Sequence, residues 1–250
     1  MPPPFHWTAD FVRDGFAVFP GLIDATAIAS VRAIIDADLR ANYDPSRQAQ
    51  YDSGSFCPDL RGTPQIMGLF HHDGVRQRVD ELVEMDKVGF DGGQIAIRRA
   101  HNEDRPQPPT PHIDGIPTPA NGLSGPELTP FTLLVGVFLS AVRTEFAGNF
   151  TIWPGSRRLI ETCFIERGPQ AMRAGMPKVA LAEPRQLLCS PGDVVFCHYQ
   201  LAHAAAVNTS DFDRYAVFFR VWHHDVRTRQ ARWSHLTNIW TGWKVGPASA

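Results

Sequence analysis

Three short clusters in this 250-residue chain set a histidine two places before an aspartate: His71-His72-Asp73, His112-Ile113-Asp114 and His223-His224-Asp225. Composition alone gives roughly 0.7 such matches, so the dyad means little until its context separates the three. Asp73 stands where a helix needs an N-cap, which commits its carboxylate to backbone N–H groups. His223 and His224 follow the last strand with only His235 beyond them, too little chain to complete a site. His112-Ile113-Asp114-Gly115 differs, because an extended segment puts residues two apart on the same side. A strand-like run over residues 193–197 then leads to His203, 89 residues after Asp114. Two neutral imidazoles and one carboxylate on one face hold iron(II) and leave the opposite positions open, which permits oxygen chemistry. His112, Asp114 and His203 are therefore read as both metal ligands and catalytic centre. Arg214 follows His203 by 11 residues, at the start of the last strand. An arginine there can grip a carboxylate bidentately, the anchor that a 2-oxo acid chelating a metal needs at its far end.

Neighbouring strand positions suggest further contacts. On a strand over residues 94–99, Gln94, Ala96 and Arg98 share a face, and on the last strand Arg214, Ala216, Phe218, Arg220 and Trp222 share one. Gln94 and Arg98 are assigned beside Arg214 at the cosubstrate; Arg220, Trp222 and Trp153 are assigned to the substrate. A buried arginine needs an anionic partner. That points to a substrate bearing a carboxylate or another anionic group, met by Arg98 or Arg220. Pairing with internal acids is the competing expectation, and for the two tryptophans it is a place in the core.

The elements that must carry these residues follow from periodicity. Residues 11–21 read as a helix end and then a strand stopped by Pro20-Gly21. Asp24 caps a helix with Ile28, Val31, Ile34, Ile35 and Leu39 at helical spacing, and Asp73 caps one with Val75, Val79, Leu82 and Val83. Residues 42–70, polar and punctuated by Gly and Pro, read as loops. Strands are expected over 94–99, 131–139, 149–153, 186–189, 193–197 and 215–222. Many short strands after a helical start indicate a sandwich or barrel with helices outside. The Pro-rich stretch 102–130 is long enough for a lid.

Composition closes other classes. Lys and Arg number 24 against 26 Asp and Glu, a net charge of −2 without the basic excess of a nucleic-acid binder. No apolar run reaches the roughly 18–20 residues of a membrane helix. The start lacks the charged and apolar regions of a signal peptide, and the four scattered cysteines suit reduced, packed side chains. A cytoplasmic location and a small-molecule substrate are expected, with the oligomeric state open.

Taken in order and spacing, His112-x-Asp114, Asn149-Phe150-Thr151-Ile152-Trp153-Pro154-Gly155-Ser156, Gly192-Asp193, His203, Asn208-Thr209-Ser210 and Arg214 resemble the phytanoyl-CoA dioxygenase family of iron(II)/2-oxoglutarate dioxygenases. The resemblance covers most of the chain. It implies a mainly β fold, a double-stranded β-helix (jelly-roll, cupin-like) with N-terminal helices packed outside. One domain spans 1–250, with a helical buttress over 1–90, the jelly roll over 91–225 and an extension over 226–250. It implies iron(II), 2-oxoglutarate and dioxygen as cofactor and cosubstrates, and an oxidoreductase that hydroxylates a C–H bond with release of succinate and CO2. The chain departs from the family at Ile113, where Gln is frequent, at Arg157, where His often follows Pro-Gly-Ser, and at Gly148-Asn149, where Asn-Gly is usual. Retention of Asp114 argues against a halogenase. A cupin-like enzyme without a 2-oxo acid, or a non-catalytic metal-binding jelly roll, are the alternatives; Arg214 speaks against the first and the complete triad against the second.

Overall fold

The computed structural model describes residues 7–101, 104–115, 129, 131–168, 171, 175–227 and 234–247. Most of the expected lid therefore lies outside the described residues.

Two antiparallel sheets face each other. The larger runs in the order β1-β7-β4-β9-β2, with β3 also paired to β9. Its strands are β1 (Phe16–Phe19), β2 (Val88–Gly89), β3 (Gln94–Arg98), β4 (Leu133–Phe138), β7 (Val194–His198) and β9 (Arg214–His223). The smaller has the order β6-β5-β8, from β5 (Phe150–Ile152), β6 (Arg185–Gln186) and β8 (His203–Ala205). Among the described residues the two do not close into a barrel.

Strand alternation divides the interior into two cores. One face of the larger sheet presents Ile95, Ile97, Val135, Val194, Phe196, Val217 and Phe219 to the helices. These are α1 (Trp7–Asp14), α2 (Ala25–Asn42), α3 (Gln48–Ser53), α4 (Pro64–His71) and α5 (Asp73–Leu82). The other face presents Leu134, Phe138, Val195, Cys197, Ala216 and Phe218 to the smaller sheet, where Phe150, Ile152 and Ala204 meet them. Full burial of a side chain such as Phe219 contributes roughly 1.5–3 kcal/mol. The segment 234–247 closes the second core, burying Leu236 and Ile239 there.

Local chemistry sets the element ends. Asp24 accepts from the Thr26 and Ala27 amides and starts α2, as its sequence predicts. The turn into β7 is tied by Asp193, which accepts from the Gly21 amide at 2.8 Å and the Ser190 amide at 2.7 Å. Gly192 sits at φ +91°, and a Cβ there would stand 2.3 Å from the Ile23 carbonyl oxygen, so only glycine fits. All four cysteines are buried and unpaired.

Three expectations are corrected. Residues 42–70 hold α3, α4 and two single turns of 3-10 helix rather than loops alone. The cap of α5 is not Asp73, its first residue, but His72, whose Nδ1 accepts from the Gly74 amide. Beyond Gln186 the expected strand 186–189 continues only as isolated bonds, Leu187 to Phe150 and Cys189 to Val142. An unassigned helix, α6 (Ser156–Arg167), follows β5.

Candidate metal centre

His112 and His203 are neighbours across strands. The His112 amide donates to the His203 carbonyl, and the His203 amide returns the bond, each at 2.9 Å. Such a doubly bonded antiparallel pair sends both side chains to the same face, and the two rings stand 4.6 Å apart. Asp114, two residues on, shares that face. Its Oδ1 lies 3.6 Å from His112 Nε2 and 3.7 Å from His203 Nε2. Both distances are too long for a hydrogen bond, so the three donor atoms converge without a proton between them. They lie within 4.8 Å of one another, as ligands of one ion would.

The protonation states suit a metal. Burial, then the nearby His203, lowers the His112 pKa to about 4, so its imidazole is neutral at physiological pH. Burial alone would raise Asp114; the Arg220 guanidinium, followed by the two imidazoles, more than reverses this and holds the carboxyl well below its ordinary range. His203 Nδ1 donates to the Leu201 carbonyl at 3.0 Å, which leaves Nε2 as the lone pair toward the site. His112 Nδ1 is buried with no hydrogen-bond partner among the described residues, so the residue's place rests on the backbone pair.

The triad opens on a pocket of about 90 Å³ that is partly open to solvent. Phe150, Leu134, Phe218 and Ala204 give it apolar walls, and Gln94, Arg98, Arg214 and Arg220 its polar ones. Arg214 is buried, donating from Nε to the Gly148 carbonyl at 2.8 Å and from Nη1 to the Ala96 carbonyl at 3.1 Å. No carboxylate pairs with it among the described residues, and burial, then Arg98, lowers its pKa to about 9. Arg98 stands directly opposite in the β3–β9 register, with the Asp52 carboxylate at 3.8 Å. The two guanidinium groups make this end of the pocket cationic. Gly148, at φ +72°, makes room for it; a Cβ there would stand 2.8 Å from Arg98 Cβ and 3.2 Å from Arg214 Cβ.

Not every assigned residue serves as expected. Arg220 lines the pocket, but its charge is already matched by Asp114, with Nε and Nη2 each 2.9 Å from Oδ2. Its Nη1 donates to Gln94 Oε1 at 2.7 Å. The Asp114 contact is the internal pairing named above as the competing expectation for Arg220. Trp153 is buried in the core between the sheets. Trp222 stacks under the Arg227 guanidinium, 3.5 Å from its ring centroid, and neither tryptophan is among the pocket walls. Asp52 and Ser53 of α3, Phe150 and Phe218 line the pocket without having been singled out. Strand alternation from Arg214 marked Phe218; nothing local marked Asp52 and Ser53.

The other histidine clusters are structural. His72 caps α5, and buried His223 accepts from the Asp225 amide through Nδ1. The motif polar residues brace the site: Asn149 donates to the Thr144 and Leu187 carbonyls, Ser156 accepts from the Ala202 amide and Asn208 donates to the Arg98 carbonyl.

No curated protein matches the chain. Among solved structures, HygX from Streptomyces hygroscopicus, with nickel and 2-oxoglutarate bound, is 17% identical at a TM-score of 0.59, over 92% of this chain and 94% of that one. The epimerase SnoN, solved with Fe3+, alpha ketoglutarate and nogalamycin RO, is 19% identical at 0.58 over 87% and 82%. The carbocyclase SnoK from nogalamycin biosynthesis is 16% identical at 0.56 over 92% and 90%. At such identities the likeness is one of fold: β-sheets with flanking helices in the cupin-like arrangement. The profile of the phytanoyl-CoA dioxygenase (PhyH) family matches residues 11–216, and with that span the chain belongs to this family.

Proposed function

We propose that this protein is an iron(II)- and 2-oxoglutarate-dependent oxygenase that oxidises, by hydroxylation in the first instance, a C–H bond of a small organic molecule. The observation that carries the reading is the convergence of three lone pairs from His112, Asp114 and His203 on one side of a pocket whose other end holds Arg214, which pairs with no carboxylate among the described residues. Iron(II) bound there with 2-oxoglutarate supplies activation of dioxygen, with succinate and CO2 as coproducts.

The residues of the chain do the rest. His203 is held in one tautomer by Leu201, and His112 in one place by its backbone pair. Arg214, fixed by two carbonyls, orients the distal carboxylate of the cosubstrate, and Arg98 adds charge to the same end. Phe150, Phe218 and Leu134 exclude water near the reacting bond. HygX with hygromycin B and SnoN with nogalamycin RO show small molecules bound to proteins of this fold, which supports a small-molecule substrate here. No described helix is long and apolar enough to cross a membrane.

Anaerobic titration of the metal-free protein with iron(II) and then 2-oxoglutarate tests the reading. The expected result is a visible iron-to-keto-acid charge-transfer band that disappears in His112→Ala. Tight iron binding without that band would favour a metal enzyme that uses no 2-oxo acid.

A further inference from the structure

We infer that Arg220 is a positioning residue that restricts Asp114 to a single metal-binding oxygen and so keeps one coordination position free for dioxygen. The inference rests on the iron/2-oxoglutarate reading and concerns how this chain's carboxylate is held.

Arginine and a carboxylate ordinarily meet fork to fork, two N–H groups on two oxygens. Here Nε and Nη2 both address Oδ2, each at 2.9 Å, and Oδ1 faces the imidazoles. The two oxygens are thereby divided, one for the guanidinium and one for an ion. The arginine is itself held: its Nη1 donates to Gln94 Oε1 at 2.7 Å, and the Gln94 amide donates in turn to the Gly54 carbonyl. A relay from the end of α3 across β3 and β9 thus ends on a single carboxylate oxygen.

A carboxylate can ligate through one oxygen or both. An octahedral ion has six positions. Were such an ion held by both imidazoles and one Asp114 oxygen, three positions would stay open, two for a chelating 2-oxo acid and one for dioxygen. With both Asp114 oxygens bound, the cosubstrate would take the last two. Arg220 on Oδ2 opposes that arrangement.

Nitric oxide reports the remaining position, because it binds iron(II) where dioxygen would and gives a distinctive electron paramagnetic resonance signal. The test compares wild type, Arg220→Gln and Arg220→Lys, each anaerobic and loaded with iron(II) and 2-oxoglutarate. The Arg220 side chain is 42% exposed, so its replacement leaves no buried cavity. In Arg220→Gln the charge-transfer band should persist while the nitric oxide signal is lost; Arg220→Lys, which restores a cation, should recover part of it. A full nitric oxide signal in Arg220→Gln, with the band intact, would overturn the inference. Loss of iron binding in both variants would also overturn it, since Arg220 would then merely hold the site together. Absence of the band from wild type would defeat the underlying reading instead, and this inference with it.

Discussion

Arg214 enters the pocket with its guanidinium fixed to two backbone carbonyls, one of them from Gly148, and this makes its geometry sensitive to both residues. Arg214→Lys keeps a cation but loses the planar fork. Hydrogen bonds to charged groups contribute about 1.5–3 kcal/mol, so 2-oxoglutarate should bind about 10- to 100-fold more weakly, read from the charge-transfer titration. Gly148→Ala forces a side chain into the left-handed region at φ +72° and against Arg98. A stability loss of about 1–3 kcal/mol in urea unfolding, with weaker cosubstrate binding, is the expected outcome. At this scale the triad and the place of Arg214 beside it were legible in the sequence, because extended-chain alternation joins His112 to Asp114 and the offset of Arg214 from His203 is short. The partner of Arg220 was not. Alternation set its face, but its choice of Asp114 over a substrate depends on a contact between residues 106 positions apart.

Consecutive residues of β9 serve different cores, and their substitutions should separate accordingly. Phe219, fully buried against the helices, should cost about 3–5 kcal/mol as Phe219→Ala, measured by urea unfolding. Phe218 faces the pocket, its ring 5.2 Å from that of Phe150. Phe218→Ala should destabilise less yet raise the fraction of 2-oxoglutarate consumed without substrate oxidation, seen by comparing succinate with product. Equal stability losses and unchanged coupling would contradict this division. The long α2 and the strands β4, β7 and β9 were legible because their apolar residues recur cleanly. The helices α3 and α4 span six and eight residues within a Gly- and Pro-rich stretch, and their polar neighbours hid them. For α4 the signal existed, in Pro64 at the first turn and Ile66, Leu69 and Phe70 at helical spacing. For α6, Ile160, Cys163 and Phe164 carried the same spacing. The strand β8, with three residues and two alanines, carries no pattern of its own; its pairing with β5 defines it.

The whole molecule should answer to acid through its buried histidines. Burial, only partly offset by a hydrogen bond to the Phe131 carbonyl, lowers the His235 pKa to about 4 from an ordinary value of 6.5. Between those values the unfolded chain binds the proton and the folded chain does not. His235 therefore leaves stability whole above about pH 6.5 and erodes it as the pH falls toward about 4, by up to about 1.4 kcal/mol per pH unit. Urea unfolding of the metal-free protein from pH 7 to pH 4 should show a shallower decline in His235→Gln; parallel curves would exclude the role. The general arrangement, sheets with helices outside, was readable from the succession of a helical start and many short strands. The closing of the second core by residues 234–247 was not, because those residues have no regular period.

The pair His112 and His203 carries one more consequence. Two backbone hydrogen bonds join chain segments 91 residues apart, and an ion between their rings would join them a second time. The centre is thus also a clasp, fastening the proline-rich approach to β8. Binding stabilises whatever conformation presents the ligands, so chelation should release the approach while leaving β7 and β9 folded. Hydrogen exchange would register this as faster loss of the His112 and His203 amide protons beside unchanged protection in β7. A copy of the protein that has lost its ion would then differ from a loaded one in outline as well as chemistry, loosened along the segment that leads to His112.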